Sequence, residues 1–251
     1  MSVFIKNIEM GAGKTKICVP VIGRSAEEIL NETEELKNSV ADIVEWRADY
    51  YDDVMNQDKV LQVLYEMTLI LGDKPVIFTF RTKNEGGEKY IDSLYYKMLL
   101  KSVIRQQKVG AVDVEFFMGD GLLEEISSKA AEYGVRVIAS NHDFNGTPGK
   151  DEIVKRLVSM RDKGADISKI AVMPKCPGDV LTLLEATLEV KRNNEDMVLV
   201  TMSMGQLGVI SRLSGGTFGS AMTFGARTKE LASAPGQLEM NELKNILDSI
   251  E

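Results

Sequence analysis

Eight short runs rich in β-branched residues recur along the chain, and their starts lie roughly thirty residues apart. That spacing is typical of one strand followed by one helix. The runs cover residues 16–22, 42–47, 75–81, 111–116, 135–141, 168–173, 198–203 and 220–225. Between them lie helical patterns at residues 25–39, 90–108, 121–133, 150–164 and 178–193, and the first opens with a capping box, Ser25 and Glu28.

Eight alternations without a linker or a change of composition predict one α/β domain over residues 1–251, a (β/α)8 TIM barrel. An open doubly wound sheet is the alternative. Residues 3–16 precede the first strand, and we expect them to form a short β-hairpin that closes the bottom of the barrel. Gly13, Lys14 and Thr15 resemble part of a phosphate loop, but Ile8 occupies the place of its first glycine and the stretch precedes a strand.

Composition excludes several classes of protein. The chain has 251 residues, a net charge of -8 and no long basic run, which disfavours nucleic acid as a partner. It shows neither a secretory signal nor an apolar run long enough to cross a membrane, so we expect a cytoplasmic protein. Its two cysteines are too few for a disulfide framework or a four-cysteine zinc site, and Cys18 is interpreted as a small buried apolar residue.

Alternation along the strands places several charges inside the barrel. In DIVEWR, Ile43, Glu45 and Arg47 share one face, while the apolar face with Val44 and Trp46 is expected to meet the helices. The same alternation predicts that four further charged side chains face the interior, namely Arg81, Asp113, Glu115 and Lys169. One interpretation is an internal network of ion pairs; the other is an active site at the carboxyl ends of the strands.

Three features favour the active site. The only histidine, His142, ends the fifth strand, and Glu85 follows Arg81 on a glycine-containing loop from which it could orient the imidazole. Arg212 and Gln237 follow the seventh and eighth strands. Cations gathered at one mouth of an acidic protein indicate a small anionic substrate. Glu45, Asp113 and Glu115 could instead hold Mg²⁺ or Mn²⁺, although the neighbouring cations would repel a dication.

Lys169 stands one residue before an apolar strand core, where a charged amine is costly. Burial and nearby arginines would favour its neutral form, which can condense with a ketone. The protonated imine withdraws electrons from the adjacent carbon, and His142 could then remove a proton there. The residues therefore predict imine chemistry on a keto acid. Lys83 and Lys175 are alternative amines, but both lie on loops where water keeps an amine charged.

The sequence resembles the type I 3-dehydroquinate dehydratase (3-dehydroquinase) family over nearly its whole length. The motifs that carry the resemblance are EWR (45–47), FTFR with EGGE (78–88), DVE (113–115), SNHDF (140–144), KIAVMP (169–174), TMSM with GVISRL (201–213) and SAPGQ (233–237). The resemblance implies a TIM-barrel lyase of the shikimate pathway, in chorismate and aromatic amino acid biosynthesis. It also implies a homodimer, no cofactor and no metal.

The resemblance also implies a role for each residue. Lys169 forms the Schiff base, His142 transfers protons, and Glu85 orients His142. Arg212 binds the substrate carboxylate beside Ser233 and Gln237 of a closing loop. The ring hydroxyls are bound by Glu45, Arg47 and Arg81, and the apolar walls are Met204 and Phe224. Some relatives carry a serine that faces the site at the position of Pro20. Proline lacks the hydroxyl group, so the hydrogen bond that a serine could make there is not expected.

Two other functions stay open at this stage. A class I aldolase would share the imine lysine and would use a phosphate-binding loop, of which SGGTFGS at 214–220 is a weak version. A catalytically silent barrel that only binds a ligand is the second, and the presence of Lys169, His142 and Glu85 argues against it.

Overall fold

The computed structural model describes residues 3–251 and confirms the predicted barrel. Its strands are β1 (Val3–Ile5), β2 (Ile8–Met10), β3 (Lys16–Val21), β4 (Ile43–Arg47), β5 (Val76–Thr79), β6 (Ala111–Glu115), β7 (Arg136–Asp143), β8 (Ile167–Val172), β9 (Val198–Ser203) and β10 (Met222–Phe224). Its helices are α1 (Ala26–Lys37), α2 (Gln57–Leu71), α3 (Ser93–Arg105), α4 (Leu122–Tyr133), α5 (Lys150–Asp162), α6 (Pro177–Asn193), α7 (Gly205–Phe218) and α8 (Met240–Ile250). Each of the eight predicted runs became a strand.

The strands β3 to β10 form one sheet in which every described pair is parallel. Each strand from β3 to β9 pairs with the next along the chain, and β10 returns to pair with β3. A single parallel bridge between Leu199 and Ser220 links β9 to the segment before β10 and nearly closes the ring. The open doubly wound alternative is therefore wrong.

Side-chain parity divides the molecule into two cores, as the sequence predicts. Val44 and Trp46 face outward and pack in a large cluster with the helices, whereas Ile43 belongs to a cluster inside the barrel. Cys18 is fully buried in the same inner cluster, which confirms its interpretation as an apolar core residue. The inner cluster includes the first residues of β4, β6, β8, β9 and β10, and the buried charges of β4, β6 and β8 lie further along their strands.

The hairpin β1–β2 covers the end of the barrel where the strands begin. Its two strands are antiparallel, with Val3 opposite Met10. Ile5 and Met10 are buried and belong to the inner cluster together with the first residues of β4 and β6. The predicted hairpin at the bottom of the barrel is thus confirmed.

The helix predictions were incomplete. The capping box of α1 is formed, with Glu28 N–H donating to Ser25 Oγ, but α2, α7 and α8 were not predicted. The stretch 214–220 was considered as a weak phosphate-binding loop, but its residues 214–218 form the end of α7. There Gly216 lies against Thr15, beside the start of β3, at the wrong end of the barrel for an active site. Among residues 3–251, no helix is long and apolar enough to cross a membrane.

Candidate active site

A cavity opens at the carboxyl ends of the strands. All eleven residues that the sequence singled out as catalytic or substrate-binding line it. They come from six strands and from the segments that follow them, namely Glu45, Arg47, Arg81, Glu85, His142, Lys169, Met204, Arg212, Phe224, Ser233 and Gln237. The sheet therefore brings together side chains that lie up to 192 residues apart in the sequence.

Lys169 projects from the middle of β8 into this cavity and is 4% exposed. Its Nζ lies 3.3 Å from Asp113 Oδ2 and 3.7 Å from Glu45 Oε1, and 4.4 Å from the centre of the Phe224 ring. Sequence reasoning expected arginines to favour the neutral amine, but it did not pair the amine with these two carboxylates. Both a carboxylate and the face of an aromatic ring attract a nearby positive charge. The same contacts would stabilise a protonated imine, which carries its charge at the same atom.

His142 and Glu85 form the second part of the site. His142 Nδ1 lies 3.0 Å from Glu85 Oε2, and the backbone N–H of His142 donates to the same oxygen at 2.9 Å. When Glu85 is ionised, it accepts a hydrogen bond from Nδ1–H, which leaves Nε2 as the basic nitrogen of the ring. Burial lowers the pKa of His142 well below its ordinary value, and the cations Arg81 and Lys169 lower it further. The imidazole is therefore neutral at pH 7.

Burial raises the pKa of Glu85 to about 7, and Glu115 adds to that rise while Arg81 opposes it. Glu85 sits in a short 3-10 turn after β5, followed by Gly86 in a left-handed conformation. A Cβ at Gly86 would lie 2.3 Å from the ring of Phe144, so only glycine allows this close approach. Gly86 and Phe144 also line the cavity, and sequence reasoning missed both.

Arg81 is the centre of a buried ion-pair network on one side of the cavity. Its guanidinium contacts Asp113 Oδ1 at 2.8 Å, Glu115 Oε1 at 3.0 Å and Glu85 Oε2 at 3.5 Å. It also donates to Ser140 Oγ at 2.9 Å. Burial alone would lower the pKa of Arg81, but Asp113 and Glu115 outweigh it and raise the pKa well above the ordinary value. This part of the ion-pair interpretation is thus correct: Arg81 holds three carboxylates in place.

Arg47 is fixed by a partner that sequence reasoning missed. Its Nε and Nη2 donate to the two carboxylate oxygens of Asp49, each at 2.8 Å. Asp49 is fully buried and also accepts the backbone N–H groups of Arg81 and Glu88. The bidentate pair holds the guanidinium of Arg47 at the cavity wall. The sequence did indicate this pairing, because Asp49 follows Arg47 by two residues in the stretch RAD.

Arg212 lies on the opposite side, in α7, and is 1% exposed. Within residues 3–251 it contacts no carboxylate: its Nη2 donates to Pro235 O at 3.1 Å, Nη1 lies 3.4 Å from Met202 Sδ, and Nε has no partner. Burial lowers its pKa to about 10, so it remains a cation at pH 7. A buried cation of this kind is suited to bind an anion.

The segment that carries Ser233 and Gln237 lies across the cavity beside Arg212. Ser233 N–H donates to Gln237 Oε1 at 3.0 Å, and Gln237 Nε2 donates back to Ser233 Oγ at 3.1 Å. Pro235 O accepts from Gly205 N–H at 3.1 Å as well as from Arg212. These contacts hold the segment against the start of α7.

Two further expectations concern Pro20 and the carboxylates considered as metal ligands. Pro20 pairs with Glu45 across β3 and β4, and as a proline it offers no side-chain donor to the site. The carboxylates considered for a metal, Glu45, Asp113 and Glu115, are bound by Lys169, Thr79, Thr82 and Arg81. No group of three or more histidine, cysteine or acidic side chains within residues 3–251 is arranged to hold a metal ion.

The fold and the cavity together define a (β/α)8-barrel enzyme whose site combines a buried lysine, a histidine–glutamate pair and a buried arginine. Residues 17–251 match the family model of type I 3-dehydroquinase. The chain belongs to this family of hydro-lyases.

Relatives agree in sequence and in structure. The 3-dehydroquinate dehydratase of Clostridioides difficile (strain 630) is 49% identical over 244 residues, which is 97% of this chain and 95% of the relative. A crystal structure of the type I enzyme from Clostridium difficile with covalently modified comenic acid superposes with a TM-score of 0.96 at 48% identity, covering 100% of this chain and 97% of that one. The Enterococcus faecalis enzyme gives 0.91 at 39% identity, covering 99% of each chain.

Proposed function

We propose that this chain dehydrates 3-dehydroquinate to 3-dehydroshikimate through a Schiff base on Lys169. The observation that carries the proposal is a cavity lined at once by Lys169, by the His142–Glu85 pair and by Arg212, a cation without a carboxylate partner in the described chain. These are the groups that a ketone, an acidic C–H bond and a carboxylate require. The covalently modified comenic acid of the relative with 48% identity supports a covalent route.

The first step is condensation. His142 takes one proton from the ammonium of Lys169, and the resulting amine attacks the C3 carbonyl. The carbonyl oxygen takes one proton from the attacking nitrogen and one from His142 and leaves as water, while the remaining N–H proton stays on the imine, which is therefore cationic. Asp113 and Glu45, at 3.3 and 3.7 Å from Nζ, stabilise this cation. The positive charge makes the C–H bonds at C2 acidic, because the resulting electron pair is delocalised onto nitrogen.

The second step is elimination. His142 Nε2 removes a C2 proton and leaves an enamine, and the imidazolium then gives its proton to the C1 hydroxyl, which departs as water. The electron pair of the enamine forms the C1–C2 double bond and restores the protonated imine. Water hydrolyses this imine, which returns the amine of Lys169 and releases the conjugated enone. Glu85 keeps Nδ1 protonated throughout.

The remaining residues bind the substrate. We assign the substrate carboxylate to Arg212, with Ser233 and Gln237 beside it. The ring hydroxyls are assigned to Glu45, Arg47 and Arg81, whose side chains are each fixed by buried partners. Met204 and Phe224 form apolar walls. As the family resemblance implies, we extend the proposal to a cytoplasmic homodimer that acts in the shikimate pathway, with neither a cofactor nor a metal.

Borohydride trapping tests the covalent step. The chain is incubated with 3-dehydroquinate, reduced with borohydride, digested and mapped by mass spectrometry. The expected result is one adduct, on Lys169, and an increase in enone absorbance when borohydride is omitted. The exposed lysines Lys83 and Lys175 are internal controls. An adduct on either control, or turnover without any trapped adduct, contradicts the mechanism.

A further inference from the structure

A chain of hydrogen bonds runs from helix α5 to the imidazole of His142. Arg156 Nη1 donates to Asn141 Oδ1 at 2.9 Å, and Asn141 Nδ2 donates to Glu85 Oε1 at 3.2 Å. The other carboxylate oxygen of Glu85 accepts from His142 Nδ1 at 3.0 Å. Arg156 thus acts on the proton-transfer group through two intermediate side chains, without lining the cavity itself.

The chemistry of the partners fixes the orientation of the Asn141 amide. A guanidinium can only donate, so the Asn141 oxygen must face Arg156, and the amide nitrogen then faces Glu85. A carboxylate accepts from that nitrogen. If Arg156 were removed, the amide could rotate, and its oxygen would then face the carboxylate of Glu85 without a hydrogen bond. Asn141 is 5% exposed, so water would compensate poorly.

Arg156 is itself held on three sides. Its Nε donates to Glu152 Oε1 at 2.8 Å within α5, Nη1 lies 3.5 Å from Asp143 Oδ2 of β7, and the guanidinium stands 5.4 Å from the centre of the Phe117 ring. The side chain is only 18% exposed. A planar donor held in this way supports one amide geometry.

We propose that Arg156 is a positioning residue, which acts through Asn141 to orient Glu85 and so to keep His142 in the tautomer with Nδ1 protonated and Nε2 free. The inference deepens the proposed function and rests on it, because it assigns the support for the proton-transfer group of that reaction. Arg156 and Asn141 do not touch the substrate in this assignment.

Other charges also act on the pair, and the test must separate them. Glu85 faces Arg81 at 3.5 Å and feels Glu115 of β6. Besides burial, four cations of the cavity lower the pKa of His142, namely Arg81, Lys169, Arg47 and Arg212. Arg156 faces Glu152 and Asp143. All of these charged groups remain in an Arg156 variant. A difference between that variant and the parent chain therefore reports the loss of the hydrogen bond from Arg156 to Asn141.

The experiment uses the single histidine of the chain as a reporter. Tag-free protein labelled with ¹⁵N-histidine gives only the two ring nitrogens of His142, whose shifts report the tautomer without substrate. The variants are Arg156→Gln, Asn141→Ala and the double variant. The matched control is Arg161→Gln, because Arg161 lies on the same helix and also donates to an asparagine oxygen, Asn194 Oδ1, at 2.7 Å.

At about pH 8.5, where Glu85 is ionised, the expected result is a protonated Nδ1 in the parent chain and in Arg161→Gln, and mixed tautomers in Arg156→Gln and Asn141→Ala. In the dehydratase assay, Arg156→Gln lowers kcat at pH 7 about tenfold with KM within about twofold, and the acidic limb of the pH profile moves upward by about half a unit. The double variant matches Asn141→Ala, since Arg156 acts only through that amide.

The inference is overturned if Arg156→Gln keeps the parent tautomer, if Arg161→Gln changes it equally, or if the double variant is clearly worse than Asn141→Ala. The nitrogen shifts need no turnover. If the parent chain fails to dehydrate 3-dehydroquinate while the shifts respond as expected, the proposed function fails and the support for His142 stands. If the parent chain is active and the shifts do not respond, only this inference fails.

Discussion

The two sides of the cavity each contain a buried arginine, but the two arginines have opposite surroundings. Arg81 is 3% exposed and contacts three carboxylates, which raise its pKa. Arg212 is 1% exposed, contacts a backbone carbonyl and a thioether, and has its pKa lowered to about 10 by burial. The first side is neutralised by the protein itself, whereas the second retains an uncompensated positive charge.

The difference separates two uses of a buried charge. A cation with carboxylate partners keeps neighbouring groups in place, and breaking the pair leaves those carboxylates unpaired. A cation without such partners costs stability and is suited to bind an anionic ligand. Lys169 belongs to the first side by its contacts with Asp113 and Glu45, yet it is the proposed nucleophile. The carboxylate side therefore combines structural support with chemistry.

The largest effect is expected from Lys169→Ala. Turnover should fall by at least about 10⁴-fold, because the imine can no longer form. The folded state should persist, because Asp113 is still bound by Arg81 and Glu45 still accepts from Thr79. Enone absorbance measures turnover, and circular dichroism measures folding. Lys83→Ala and Lys175→Ala, which remove exposed amines, should retain nearly full activity. Substantial turnover by Lys169→Ala would show that the carboxylate side acts without this amine.

Arg81→Met tests the neutralised side. We expect the free energy of unfolding to fall by about 3–5 kcal/mol, because Asp113 and Glu115 lose their buried partner. Urea titration at pH 7 measures it. Arg24→Met is the matched control: Arg24 pairs with Glu88 at the surface, where an ion pair contributes about 0–1 kcal/mol. Equal losses in the two variants would contradict the role assigned to the network.

Arg212→Met tests the uncompensated side. We expect kcat/KM to fall about 10²- to 10³-fold, because the substrate carboxylate loses its buried cation. The free energy of unfolding should stay within about 1 kcal/mol or increase, since no carboxylate is left unpaired. Steady-state kinetics and urea titration are measured on the same preparation. A destabilisation as large as that of Arg81→Met, with kcat/KM preserved, would remove the distinction between the two sides.

The spacing of the eight strand-like runs predicted the fold, and strand parity predicted which charged strand residues face the interior. Charges that alternate with apolar residues, as in DIVEWR, must face the interior once the outer face packs on helices. Position near the end of a strand then brings them to one mouth. The helix α7 was missed because its glycines disfavour a helix locally, and packing against β9 and α6 overrides that preference.

The partners inside the site could not be predicted in the same way. Parity places Asp113 inward but cannot show whether its carboxylate contacts Lys169, Arg81 or both, since these distances depend on how neighbouring strands are staggered. Asp49 and Gly86 lie on segments after the strands, where no periodicity applies. The pairing of Arg156 with Asn141 joins a helix to a strand and left no sign in the local sequence.

The smallest effect concerns pH and Glu85, at the edge of the neutralised side. Burial raises its pKa to about 7, so the carboxyl group gains a proton as the pH falls through that value. A protonated Glu85 donates to Nδ1 and moves the ring proton of His142 to Nε2, which abolishes the base. Activity should therefore decrease about tenfold from pH 8 to pH 6.

Glu85→Gln has no proton to gain, and its amide oxygen can still accept from Nδ1–H. At pH 8 the rate of Glu85→Gln should be lower than that of the parent chain, and it should change less than about twofold between pH 8 and pH 6. The pKa of His142 is lowered well below its ordinary value, so protonation of the imidazole should reduce this rate only at lower pH. An acidic limb at the same pH in both proteins would assign the titration to another group of the cavity.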